Sequence, residues 1–262
     1  MDKKKVFVSI PTNVVKRYCQ KEFYNNLFLA VKATTKAEVF VHVCDNSSHP
    51  NGNFNTIQVV ELNKMFPAGG MKAYNIEHIK ITRDWSKNDP KNRARLFSKN
   101  LNTSIIHSIR DFLKSGYDYF ISLESDVVPP PSFIDMFLSD CEKVESQGDK
   151  MYGIGGIYYK QNNVHKPEWF SGTPQFIKCD QNTLNLLVWG VSIFPRSFMQ
   201  FMEDKKYWED MLGVYKVKPG MFVDGMCNKR MKDWDINRYI NTAIRCDHLH
   251  DNKKQRGLGD LN

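Results

Sequence analysis

"YDYFISLESDVVPPPSFIDMF", residues 117–137, is the stretch whose reading decides the fold. An apolar run with strand character ends in two acids, Glu124 and Asp126, and three prolines, Pro129, Pro130 and Pro131, follow them. Acids that directly follow a buried strand lie at the carboxyl edge of a parallel sheet, where open α/β sheets bind their ligands. The spacing itself carries no weight: 29 acids in 262 residues give roughly three acid-x-acid triplets by chance, and three occur, at Glu124, Asp140 and Asp233. Position singles out the first. The pair beginning at Asp140 falls on a helical pattern and reads as a solvated face. Two adjacent carboxylates repel unless a proton or a hard divalent cation neutralises them, and rigid prolines behind them limit their freedom before a cation arrives. The competing reading of the same acids is a cap for the following helix, where Ser132 and Asp135 form an S-x-x-D signature.

Working outward, "KVFVSI" (5–10) and "AEVFVHV" (37–43) alternate like strands, and Phe23, Leu27, Phe28 and Val31 between them recur at helical spacing. "TIQVV" (56–60) reads as a third short strand, and Lys64 to Asn92 as a long loop with some helix. A helical stripe over 96–114 leads into the 117–123 strand, and a helix follows over 132–144. This β-α-β alternation predicts a single α/β domain with a mostly parallel, doubly wound, Rossmann-like sheet flanked by helices. The second half reads as strands over 151–159, 186–194 and 239–246, with helices over 196–212 and 225–232. The end, 251–262, reads as a flexible polar tail.

Composition narrows the classes. The hydrophobic fraction of 41% suits a sizeable core, and the longest nearly apolar run, 184–194, is too short to span a bilayer. The lysine-rich start lacks the apolar centre of a signal peptide, so a cytoplasmic location is expected, the host cytoplasm if the protein is viral. Six cysteines without C-x-x-C pairs predict reduced thiols. A formal charge of +8 permits nucleic acid, anionic lipid or a pyrophosphate-bearing ligand without selecting among them.

The order "VSIPT", Asp45 in "CDNSS", "LESDVVPPPSF", "VWGVSIFPRSF", Asp224 in "FVDGMCNKR" and "IRCDHLH" resembles the GT-A glycosyltransferases, especially the family-2-like enzymes of bacteria and viruses. The resemblance spans about residues 5 to 250 and implies one GT-A domain over 1–250. Residues 1–126 would hold the nucleotide sugar and 127–250 the acceptor. It further implies transfer of a hexosyl or pentosyl unit from a nucleotide-diphosphate sugar, a UDP-sugar first, with Mn²⁺ or Mg²⁺ as cofactor. "ESD" resembles the family's DXD motif, with Asp126 on the metal and Glu124 nearer the ribose or a metal-bound water. Pro11, Thr12 and Asp45 match positions that hold base and ribose. Arg93, Arg95 and Asn100 resemble the polar group facing nucleotide and sugar, or else form a charged helix start. Trp189 and Gly190 resemble residues that shape the sugar pocket, although a buried tryptophan is equally at home in a core. Asp224 matches the catalytic base of inverting members, here preceded by Val223 where a second acid is common. A histidine after the last strand resembles the third metal ligand. His248 and His250 point to opposite sides of an extended segment, so one of them serves, and His248 is favoured.

Two other classes share these features. A nucleotidyltransferase would also use strand-end acids, but "SIPTNVVKR" offers no glycine-rich phosphate loop. A non-catalytic nucleic-acid-binding module would suit the charge, yet the basic residues are dispersed. As for the acceptor, a glycan or lipid-linked saccharide competes with a hydroxymethylated DNA base of the kind some phage enzymes modify.

Overall fold

The computed structural model describes residues 3–12, 19–45, 71–75, 90–158, 168–180, 187–208 and 223–249. Among them are nine strands: β1 (Lys4–Thr12), β2 (Ala37–Asp45), β3 (Met71–Asn75), β4 (Tyr119–Leu123), β5 (Val127–Val128), β6 (Tyr152–Tyr158), β7 (Phe176–Lys178), β8 (Val191–Pro195) and β9 (Asn237–His248). Six helices accompany them: α1 (Gln20–Ala33), α2 (Pro90–Lys114), α3 (Phe133–Ser146), α4 (Glu168–Ser171), α5 (Arg196–Asp204) and α6 (Val223–Asp233). One sheet runs β3-β2-β1-β4-β8-β6-β9-β5, with β7 paired to β9. The pairs β2–β1 and β1–β4 are parallel, as expected, and so is β3–β2. Antiparallel pairing enters at β4–β8, β8–β6, β7–β9 and β5–β9, while β6–β9 is again parallel.

Strand alternation divides the interior between the two faces of this sheet. Val6, Val8 and Ile10 of β1, Val41 and Val43 of β2, and Ile121 and Leu123 of β4 join a core completed by Phe23 and Leu27 of α1 and by Phe137, Leu138 and Cys141 of α3. The intervening Phe7 and Phe120 enter a second core with Ile105, Ile109 and Phe112 of α2, Met199 and Met202 of α5, and Cys227 and Met231 of α6. Burial on both faces explains why these strands read as nearly continuous apolar runs. All six cysteines are buried.

Arg196, the first residue of α5, closes the far end of α2. Its guanidinium donates to the carbonyls of Phe112 (3.1 Å), Leu113 (2.9 Å), Ser115 and Tyr117 (3.2 Å), at and just beyond the end of α2 where carbonyls run short of intrahelical donors.

Several sequence expectations need correction. The 64–92 segment contains β3 and the start of α2, and β3 adds to the parallel edge of the sheet. Among the described residues of the run 186–194 only 191–194 is strand, within β8, because Leu187 to Gly190 turn toward the end of β4. Ser132 precedes α3 but makes no side-chain cap bond, its hydroxyl lying 3.3 Å from Met136 Sδ. Asp135 instead accepts from the backbone N–H of Thr35 (3.0 Å), the Thr35 hydroxyl (2.8 Å) and Lys36 N–H (3.3 Å), tying α3 to the turn between α1 and β2. Asp140 is not on a solvated face: it is half-buried and accepts from Asn241 Nδ2 at 2.6 Å. Residues 56–60, 209–212 and the 251–262 tail lie outside the described residues.

Candidate active site

The carboxyl edge of the parallel strands gathers the candidate residues. In the β1–β2 register Thr12 stands opposite Asp45, and Asp45 stands opposite Asn75. Pro11 and Thr12 are buried, and Thr12 Oγ1 has no hydrogen-bond partner among the described residues. One strand further along, β4 ends at Leu123 and the chain turns at once, Val127 N–H donating to the Glu124 carbonyl at 3.0 Å.

That turn is held on three sides. Glu124 N–H donates to the Gly190 carbonyl (3.0 Å), Cys19 Sγ at the start of α1 donates to the Ser125 carbonyl (3.4 Å), and Leu249 N–H donates to the Asp126 carbonyl (2.9 Å). The short β5 then pairs antiparallel with the end of β9, Val127 opposite His248 and Val128 opposite Asp247. This pairing carries His248 beside Asp126, a residue 122 positions earlier in the sequence.

Glu124, Asp126 and His248 thereby offer three donor atoms that all lie within 4.8 Å of one another. His248 Nε2 stands 3.8 Å from Asp126 Oδ2, too far for a hydrogen bond. Bonds of about 2.1 Å to a common cation would separate two ligands by about 3.0 Å at a right angle and about 4.2 Å in line, and 3.8 Å falls between these. The donor set of two carboxylates and an imidazole suits Mn²⁺, or Mg²⁺ with water completing its shell. Asp126 is buried and Glu124 is half-buried, so the cluster opens toward solvent on the glutamate side.

A layer behind the cluster fixes its shape. The ring of Tyr158, at the end of β6, stacks on His248 with centroids 5.2 Å apart and planes at 20°. Gly190 leaves room for that tyrosine, since a Cβ there would meet Tyr158 Oη at 2.7 Å. Sequence reasoning found Gly190 and His248 but missed Tyr158, whose place in an apolar strand gives no sign of what its ring touches. It also missed Asn228 and Arg238. Asn228 Nδ2 donates to the Leu187 carbonyl at 2.6 Å, and Arg238, fully buried, donates to Asn228 Oδ1 (3.4 Å) and to the Asp180 carbonyl (3.1 Å). Asn228 lies four residues after Asp224, one turn along α6, and so ties the helix that bears the candidate base to the turn ending in Gly190.

Trp189 takes the core alternative. It is 3% exposed and packs against Phe194 (4.7 Å between centroids), Phe120 (6.3 Å) and Trp208 (6.2 Å), as a core residue does. Arg93, Arg95 and Asn100 lie along α2, Asp45 ends β2, and Asp224 lies in the first turn of α6; the side chains of these five, and His250 altogether, fall outside the described residues.

No protein-family model matches the sequence, and comparison with curated proteins gives no match. Among solved structures the fold is that of TarS from S. aureus, a GT-A glycosyltransferase of the family-2-like type. The TarS structure aligns with a TM-score of 0.52 at 14% identity, covering 91% of this chain and 34% of TarS. TarS 1–349 gives 0.51 at 15% identity over 93% of this chain and 60% of that one. TarS 1–349 in complex with UDP-GlcNAc gives 0.51 at 13% identity over 95% and 61%. The chain thus spans about a third of TarS and about three fifths of its 1–349 portion. Among the described residues, no helix is long and apolar enough to cross a membrane.

Proposed function

We propose that this chain is a metal-dependent glycosyltransferase that moves a sugar from a nucleotide-diphosphate donor to an acceptor hydroxyl. The observation that carries the reading is the convergence of Glu124, Asp126 and His248 at the carboxyl edge of a GT-A sheet. These three residues would hold Mn²⁺ or Mg²⁺, which when bound would neutralise charge on the departing diphosphate. Thr12 and Asp45, neighbours across β1 and β2, would receive the base and ribose, and Arg93, Arg95 and Asn100 of α2 would face the diphosphate and sugar. Asp224 would take the proton of the acceptor hydroxyl as its oxygen attacks the anomeric carbon from the side opposite the leaving group, inverting the centre. TarS 1–349 was crystallised with UDP-GlcNAc, which makes a UDP-sugar the first donor to try. The acceptor hydroxyl is assigned to a glycan or lipid-linked saccharide, with residues 127–250 forming that side.

The test is thermal stabilisation by UDP-, GDP- and dTDP-sugars, with and without Mn²⁺, on the wild type and on Asp126→Ala. A ligand that binds only the native state raises the melting temperature by mass action. A metal-dependent rise with one nucleotide class, lost in Asp126→Ala, supports the reading. No rise with any donor sinks it in favour of a binding module. Tight, strongly salt-dependent binding to duplex DNA would move the acceptor to a modified base.

A further inference from the structure

A second cluster of metal-ligating side chains lies away from the carboxyl edge, between β2 and α2. His42 of β2 and His107 and Asp111 of α2 bring three donor atoms within 4.8 Å of one another. Both His42 Nε2 (3.2 Å) and His107 Nε2 (3.5 Å) approach the same carboxylate oxygen, Asp111 Oδ2. We propose that His42, His107 and Asp111 form a transition-metal site, for Zn²⁺ by preference, that clamps β2 to α2.

The hydrogen bonds behind His42 carry the argument. Ser108 can donate its single hydroxyl proton to the Ser104 carbonyl (3.1 Å) and stands 3.0 Å from His42 Nδ1. When the proton lies on that bond, the Ser108 oxygen accepts Nδ1–H and His42 Nε2 turns a lone pair toward the Asp111 carboxylate, the tautomer that ligates a metal; when Ser108 donates to Nδ1 instead, Nε2–H donates to Asp111 Oδ2. Nε2 and Oδ2 stand 3.2 Å apart, close to the roughly 3.3 Å that separates two ligands each about 2.0 Å from one tetrahedral ion. A second proton on the ring is disfavoured, because His42 has no exposed surface and lies on Phe7 at 5.0 Å between centroids. The neutral imidazole favoured there is the form that a metal ion binds.

The donor set is the neutral imidazole and carboxylate chemistry that Zn²⁺ takes. A ligand imidazole whose other nitrogen donates to a fixed oxygen is the usual support of such a site, and Ser108 fills that role. The His107 and Asp111 side chains are 41% and 25% exposed, and fully buried His42 forms the floor of the cluster. His42 lies three residues before the end of β2 at Asp45, so the clamp would hold that strand end against the helix carrying Arg93, Arg95 and Asn100.

The experiment uses the full chain with Asp126→Ala, which disables the carboxyl-edge cluster and makes the result independent of the glycosyltransferase reading. After chelator treatment and desalting, Zn²⁺ is titrated against a chromophoric competitor, and Co²⁺ is added separately to read its visible absorption. One tight Zn²⁺ per chain is expected, with Co²⁺ bands of a nitrogen and oxygen set and no sulfur-to-cobalt charge transfer. His107→Ala, on the exposed side of the helix, should weaken binding by more than the roughly 10–100-fold that outer-sphere changes cost, and Ser108→Ala should fall within that range. Asp111→Asn serves as the second ligand variant, and cooperative unfolding of each variant establishes that it folds. Absence of tight Zn²⁺ binding in the Asp126→Ala chain overturns the site, and so does an affinity unchanged in both His107→Ala and Asp111→Asn.

Discussion

Replacing Gly190 by alanine tests whether the shape of the candidate site is set from behind. The added Cβ would stand 2.7 Å from Tyr158 Oη and 3.1 Å from Cε1 and Cζ of the same ring. Tyr158 is 1% exposed and stacked on His248, so it cannot swing into solvent to make room. Overfilling a close-packed interior in this way costs about 1–3 kcal/mol, and at about 2–4 °C per kcal/mol for a chain of this size the melting temperature falls by about 2–12 °C. The carbonyl of residue 190 that receives Glu124 N–H is retained in the variant, so the loss must travel through the tyrosine. Moving Tyr158 also moves His248, and Mn²⁺ affinity should fall along with stability. Urea unfolding and Mn²⁺ titration of Gly190→Ala, Tyr158→Phe and the double variant form the assay. Tyr158→Phe deletes the atom met at 2.7 Å, so the double variant should recover part of what Gly190→Ala loses. If the two changes simply add, within about 0.5 kcal/mol, or if Gly190→Ala leaves Mn²⁺ affinity at the wild-type value, the reasoning is refuted.

Arg196→Met should destabilise the chain by about 3 kcal/mol, because four carbonyls at the end of α2 lose a charged donor, a loss that urea unfolding measures directly. Asn228→Leu should cost about 1–3 kcal/mol, since it leaves the Leu187 carbonyl and the buried Arg238 guanidinium each short of a partner; the same measurement checks it, and wild-type stability would contradict it. Asp140 has its pKa raised from 3.8 to about 6, chiefly by burial. The folded state therefore holds this proton more tightly than the unfolded state, and the stability it contributes is present below pH 4 and lost as pH rises through 6. Allowing for solvent screening of a half-exposed group, Asp140→Asn should gain about 1–2 kcal/mol on the wild type between pH 4 and pH 7. Parallel stability profiles for the two proteins over that range would contradict it.

The parallel half of the sheet was legible because its cause is local. Strands such as "KVFVSI" and "YDYFISL" are buried on both faces by helices that show their own period, so composition and alternation both report the burial. The acids at 124 and 126 were legible for a related reason: carboxylates directly after a buried strand have no core role to explain them. Other features depend on pairings between distant segments, which no local pattern encodes. β3 lies in a stretch without apolar alternation and owes its strand form to β2 beside it. Asp135 looks like the partner of a helix cap three residues back, but Thr35 and Lys36 come close enough to take its carboxylate. Trp189 shows the same limit, because whether an indole faces a pocket or a core depends on Phe120 and Trp208, which lie outside its own segment, as well as on Phe194 within it.

β9 gives these separate observations a common frame. Its first residues include Arg238, buried and bonded to Asn228 of α6, the helix that opens with Val223 and Asp224. Its last residue is His248, set beside Asp126 by two residues of pairing with β5 and by the bond from Leu249 N–H to the Asp126 carbonyl. Between these ends the pairing with β6 shifts register between Gly155 and Ile157, where a Cβ on Gly156 would meet the carbonyl oxygen and side chain of Ile244 at 2.8 Å. Strand neighbours after the shift differ by residues from those a regular pairing would give: Tyr158 lies opposite Cys246, two residues before His248, and can stack on its ring. A single strand therefore sets the candidate base helix at one end and the candidate metal ligand at the other, and the irregularity between them brings the tyrosine to the histidine. Under the proposed function, the spacing between the helix that carries Asp224 and the Glu124, Asp126 and His248 cluster would follow from the length of β9 and its register shift.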